Sequence, residues 1–85
     1  MDTAVSAHQV VIMDDHATIA AGTRALVSAE PDFEVQGVFS SVASLKAHLE
    51  TAVPDLLIMD LQLGDESVTF EIRELNYRYP QLPIL

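Results

Sequence analysis

Hydrophobic residues come in two unalternated runs, Val10-Val11-Ile12-Met13 and Leu56-Leu57-Ile58-Met59, and in three stretches where they return every three or four positions. A run without polar alternation is the pattern of a parallel strand covered on both faces, which predicts strand one over about Gln9 to Met13 and strand three running from Leu56 to Asp60. Ile19, Leu26 and Val27, joined by the small Ala20, Gly22 and Thr23, have helical spacing over Ala17 to Ala29, and Glu30-Pro31-Asp32 supplies the stop. Phe33, Val35 and Gly37 alternate with Glu34 and Gln36, so Phe33 to Val38 is expected as a strand with one more exposed face, as at a sheet edge. Ser40-Ser41 offers an N-cap for a helix carrying Val42, Leu45, Leu49 and Ala52, which ends before Pro54. Leu61 to Glu66 reads as a polar loop with Gly64. Val68, Ile72, Leu75 and Tyr79 mark a third helix stopped by Pro80, and Leu82 to Leu85 begins a fourth strand.

The order βαβαβαβ specifies an α/β fold, a flavodoxin-like doubly wound parallel sheet with right-handed crossovers. Both apolar runs end in the same three residues, Ile12-Met13-Asp14 and Ile58-Met59-Asp60. Parallel strands put their carboxyl ends on one sheet edge, so if strands one and three are neighbours, in the order 2-1-3-4, then Asp14, Asp15 and Asp60 converge in the crevice at the switch point. Three carboxylates there repel one another. A cation is expected among them, and hard oxygen ligands suit Mg²⁺ best. A single Asp after a strand is commonly a turn former or helix cap; the repetition at two strand ends is what favours a site.

Charge narrows the partners. Thirteen acidic residues against four basic ones give a net charge of −9, and Arg24, Lys46, Arg73 and Arg78 do not cluster, so direct binding to nucleic acid is not expected. The chain has no cysteine, which removes disulfides and thiol chemistry. His8, His16 and His48 lack zinc-ligand spacing, and His16 and His48 are expected at the surface. No apolar stretch approaches membrane-spanning length, so a soluble cytoplasmic protein without membrane partners is expected. Residues 1–8 are read as a flexible leader and residues 9–85 as one small domain. On the third helix, Phe70 and Tyr77 fall opposite the apolar stripe, as two outward aromatics.

From Gln9 to Leu85 the chain resembles the receiver domain of bacterial two-component response regulators, of the type that precedes a helix-turn-helix output domain. The resemblance rests on Val10 to His16, on Gly22 with Arg24-Ala25-Leu26, on Glu30 to Val35, on Pro54 to Asp60, and on Ile72-Arg73-Glu74-Leu75 through Tyr79-Pro80 to Leu85. It implies that Asp60 accepts a phosphoryl group from a sensor histidine kinase. It further implies that Mg²⁺ is held by Asp14, Asp15, Asp60 and the backbone carbonyl of Gln62, and that DNA is reached only through an output domain outside these residues. The family's switching Ser or Thr and its Lys, with the last helix, strand and helix, fall beyond Leu85, so the resemblance covers the N-terminal part of a receiver. Ala17 stands where the family usually has Pro, Gly64 lies where a Pro often does, and Val68 replaces a customary Gly.

Three functions are weighed on these residues. The first is a phosphorelay receiver with Asp60 as phosphoacceptor, not an enzyme beyond self-catalysed phosphoryl transfer and autodephosphorylation. The second is a truncated receiver that acts as a phosphorylation-independent interaction or dimerisation module; its uncovered strand-four edge and the bare sheet face beside helix one would favour a homo-oligomer. The third, an aspartate-nucleophile phosphatase of the haloacid dehalogenase type, needs a second Asp two positions after the first, and Gln62 occupies that place.

Overall fold

The computed structural model describes residues 7–59 and 66–85. The elements are β1 (His8–Met13), α1 (Ala17–Ser28), β2 (Phe33–Phe39), α2 (Val42–Leu49), β3 (Leu56–Met59) and α3 (Glu66–Arg78). The strands are parallel in the order β2-β1-β3, with Val10, Val11, Ile12 and Met13 opposite Leu56, Leu57, Ile58 and Met59. Beyond β3 a single parallel bridge joins Leu57 to Ile84. In it the Leu57 N–H donates to the Pro83 carbonyl at 3.0 Å and the Leu85 N–H to the Leu57 carbonyl at 2.8 Å. The Met59 N–H donates to the Leu85 carbonyl at 3.1 Å as well, so the expected fourth strand lies on the expected side of β3 as a short, bridge-like pairing. Pro83 has no N–H to donate, and the Leu82 N–H is spent on the Tyr79 carbonyl at 3.0 Å, closing the turn after α3.

Successive strand residues face opposite sides of the sheet. Val11, Met13, Leu57 and Met59 form one buried cluster with Leu45 and Leu49 of α2, Leu75 of α3 and Leu82, and Ile72 and Tyr79 pack against it. The apolar stripe of α3 is thus where its spacing put it, with Phe70 and Tyr77 exposed on the far side; the side chain of Val68 lies outside the described residues. On the opposite face Val10 and Ile12 are also fully buried. There α1 packs against β2 and β1, and its one buried residue is Ala20. This corrects the stripe expected for the first helix: Ile19 is 49% and Leu26 76% exposed. The small Ala20 makes the close approach to the sheet, and Leu26 borders an open groove of about 240 Å³ shared with Val27, Leu56 and Ile58.

The helix ends are set by their sequences. Ser41 caps α2, its hydroxyl accepting the Ser44 N–H at 3.2 Å, and past Leu49 the chain turns with the Thr51 and Ala52 N–H groups on the His48 carbonyl, at 2.9 and 3.0 Å. The last turn that Ala52 was expected to extend is this non-helical continuation.

Strand β2 carries an irregularity that its alternation did not signal. Val35 pairs with Val10 but Gly37 pairs with Val11, so Gln36 is an extra residue. The bulge reverses the facing of the strand residues after it. Phe39 comes opposite Met13 and joins the α2 side, where its ring lies 4.9 Å from that of His48, while the Gln36 side chain meets His48 Nε2 at 2.8 Å. His48, expected at the surface, is thereby half-buried. A Cβ on Gly37 would fall 2.9 Å from the Phe39 ring. Gly37→Val should therefore force that packed ring aside and destabilise the domain by about 1–3 kcal/mol in urea unfolding; an unchanged midpoint would show that the ring has room to move.

Lys46 of α2 joins the two helices on this face, its Nζ 2.7 Å from Glu71 Oε1 and 2.6 Å from Glu74 Oε1 on α3. Glu71 Oε1 is shut off from solvent without an aligned hydrogen bond, and the ammonium is its compensating charge. Glu71 and then Glu74 raise the Lys46 pKa, and Lys46 lowers that of Glu74. A lowered carboxylate pKa stabilises above the unfolded value and ceases to do so as pH falls through the folded one. A raised lysine pKa stabilises below its unfolded value and is lost as pH climbs through the folded one. Lys46→Met should lower Tm at neutral pH, with the deficit narrowing in high salt and again as pH drops below the ordinary 4.5 of Glu74. A deficit independent of both would assign the loss to packing of the lysine stem.

Candidate functional site

The carboxyl edge of the sheet is set by the register of its central pair: β1 and β3 end side by side at Met13 and Met59. Asp14 continues the β1 ladder by one bond, its N–H donating to the Phe39 carbonyl at 2.9 Å. Its side chain cannot then swing away from the sheet end, and it is 6% exposed, the one buried charged residue among those described. Oδ1 of Asp14 accepts the His16 backbone N–H at 2.8 Å, a turn that hands the chain to α1, where the Ala20 N–H reaches the His16 carbonyl at 2.9 Å. The turn-forming and site-forming readings of Asp14 are therefore both met by one carboxylate, whose Oδ2 is not used by that turn.

Asp15 is more open, and the His16 ring bends back over both acids. Its Nδ1 stands 2.9 Å from Asp15 Oδ1 and 3.3 Å from Asp14 Oδ1. These three residues present one ligand atom each within 4.8 Å of one another. Asp14 and Asp15 are thus together as expected, and Asp60 and Gln62 lie outside the described residues. Sequence reasoning missed His16 because it weighed zinc among three distant histidines; adjacency to the acidic pair was the available signal. Arg24 was missed as well. Ala17, Ala20, Ala21 and Arg24 fall on one side of α1 at spacings of three and four, and with Asp14 and Asp15 they line a cleft of about 340 Å³ that reaches the end of β2 at Ser40.

Residues 10–85 match the profile of the response regulator receiver domain. The chain belongs to that family. Among curated relatives it is 34% identical over 77 residues to the DNA-binding transcriptional activator DevR/DosR of Mycobacterium tuberculosis, a match covering 91% of this chain and 36% of that protein. It therefore spans about a third of that relative's length. Among solved structures it is similar to RcsB from Salmonella enterica serovar Typhimurium bound to promoter rprA with the phosphomimetic BeF3⁻. That match has a TM-score of 0.80 and 26% identity, and covers 93% of this chain and 41% of that one. The isolated REC domain of the same protein superposes with a TM-score of 0.81 at 24% identity, over 93% of this chain and 59% of that one, which supports the fold. The parallel α/β sheet expected from the element order, and the receiver fold implied by the resemblance, are the architecture found. No helix among the described residues is long and apolar enough to cross a membrane.

Members of this family typically hold Mg²⁺ at an acidic pocket, and the donor set here suits a hard divalent ion: a buried carboxylate fixed by its own backbone, beside a second one open to solvent. Asp14→Asn keeps an oxygen to accept the His16 N–H and removes a charge from beside Asp15. It should raise Tm in the absence of Mg²⁺ and diminish the rise that added Mg²⁺ produces. Scanning calorimetry with and without the ion checks both signs, and a variant destabilised under both conditions would leave Asp14 a structural turn residue.

Proposed function

We propose that this chain is the phosphoacceptor part of a two-component response regulator, taking a phosphoryl group on Asp60 from a sensor histidine kinase and serving a transcriptional output through DNA-binding sequence outside these 85 residues. The observation that carries the reading is the register of Met13 with Met59, since the acidic pair follows the first and Asp60 follows the second in sequence. Asp14 and Asp15, with the Asp60 carboxylate and the Gln62 carbonyl, are the proposed Mg²⁺ ligands. The ion would neutralise charge on the phosphoryl oxygens. A carboxylate oxygen of Asp60 attacks phosphorus as the bond from phosphorus to the kinase imidazole nitrogen breaks, and that nitrogen keeps the electron pair. The chain's own part is to hold the acceptor and its charged neighbours at one sheet edge; phosphoryl transfer needs positioning more than covalent help. DevR/DosR is a DNA-binding transcriptional activator, and RcsB binds promoter DNA and occurs as dimers on DNA. That supports a transcriptional output and self-association here.

A second reading, a phosphorylation-independent interaction module, is favoured by one observation: the open groove at Leu26, Val27, Leu56 and Ile58 leaves apolar surface uncovered on the α1 side. One experiment separates the two. Incubation with Mg²⁺ and a small acyl phosphate should add a single phosphoryl group, read by intact mass, and Asp60→Asn should abolish it. Labelling that survives the substitution removes Asp60 from its role. No labelling in a folded sample that still binds Mg²⁺ would transfer the assignment to the interaction module.

A further inference from the structure

The outer face of α3 exposes two aromatic rings to water. Phe70 is 66% and Tyr77 88% exposed, and a separation of seven residues sets them within about 20° of each other around the helix and about 10 Å apart along it. Arg73 flanks this stripe on one side and Glu74 on the other, each roughly 50° from its middle and between the two rings in height. We infer that this face joins two copies of the chain, their α3 helices packed side by side and parallel about a two-fold axis. The inference rests on the self-association proposed above and gives it a surface.

Charge selects the occupant. Lys46 serves both Glu71 and Glu74, so two carboxylates share one ammonium on the α2 flank of the stripe. Arg78, one turn beyond Glu74, forms no ion pair with it and stands over the Tyr79 ring at 5.7 Å. On the other flank Arg73 is exposed and has neither ion pair nor hydrogen bond among the described residues. It cannot turn to Glu71 or Glu74 of its own helix, because residues one or two apart do not face each other. Each copy therefore offers a free guanidinium on one flank and a surplus carboxylate on the other.

Charge also selects the direction. In a parallel pair the two-fold brings opposite flanks together, so Arg73 of each copy enters the Lys46, Glu71 and Glu74 cluster of the other. Phe70 then meets Phe70 and Tyr77 meets Tyr77. An antiparallel pair would set Arg73 against Arg73 and Glu74 against Glu74, and repel. A contact confined to one helix face is small, under roughly 1,200 Å² in total, so the dimer is weak.

Sedimentation equilibrium of the full 85-residue chain at rising micromolar concentration tests this. The average mass should climb towards that of a dimer. Arg73→Glu and Tyr77→Ser should each raise the dimer dissociation constant by roughly tenfold or more. Both positions are exposed, so these variants should keep the parent Tm. Arg73→Glu combined with Glu74→Arg in one chain should recover association, since each flank then carries the other's charge. Failure of that recovery overturns the parallel pairing. Association unmoved by Arg73→Glu and Tyr77→Ser overturns the inference and leaves self-association to another surface. A chain that stays monomeric throughout removes self-association itself.

Discussion

Burial of β1 on both faces is the constraint on which the other features depend. Val10, Val11, Ile12 and Met13 are each at most 2% exposed, and full burial of such side chains is worth about 1.5–3 kcal/mol apiece as an upper bound. A strand can be covered so completely only if its backbone groups are met by neighbours on both edges and its side chains by layers above and below. β2 and β3 supply the first, and α2 with α3 on one side and α1 on the other supply the second. The hydrophobic run has to stop where that cover stops. Asp14 stands at this boundary, near enough to the core to be buried and near enough to the edge for Asp15 and His16 beside it to meet solvent.

The two layers are unequal. The α2 and α3 side has large aliphatic residues from both helices, a lysine shared between two glutamates, and Phe39 turned inward by the bulge. Without the extra residue at Gln36, strict alternation would send Phe39 to the α1 side with Val35. An edge strand accommodates such an insertion because only one of its sides is committed to a ladder. The α1 side is thinner. A helix seated through an alanine comes close to the sheet but covers little of it, so Leu56 and Ile58 are only half-buried although their partners Val10 and Ile12 are fully so.

The same economy is seen at the acidic edge, where one carboxylate shapes the turn into α1 and also faces the cleft. The oxygen that takes the His16 N–H fixes the backbone, and the histidine fixed by it returns its ring to the pair. In a receiver, where the reaction asks for placement of charge more than for covalent partners, a rigid strand end is a suitable support for such groups.

Much of this was legible in the residues. Unalternated runs identified β1 and β3, Ser41 and Pro80 bounded their helices, and the repeated Ile-Met-Asp ending tied the two strands to one edge, because these signals are local and arise from backbone periodicity. The stripe of α3 through Ile72, Leu75 and Tyr79 was equally plain. Choices that the chain alone left open were decided between elements. Whether Ala20 or Leu26 of α1 would meet the sheet depended on how closely helix and strands could approach, and the smaller residue won. The bulge at Gln36 has no period of its own and shows only in the register against β1, and His16 became part of the acidic cluster only when the turn from Asp14 folded its ring back. Sequence pattern records which residues prefer to leave water; tertiary structure determines which of them find something to be buried against.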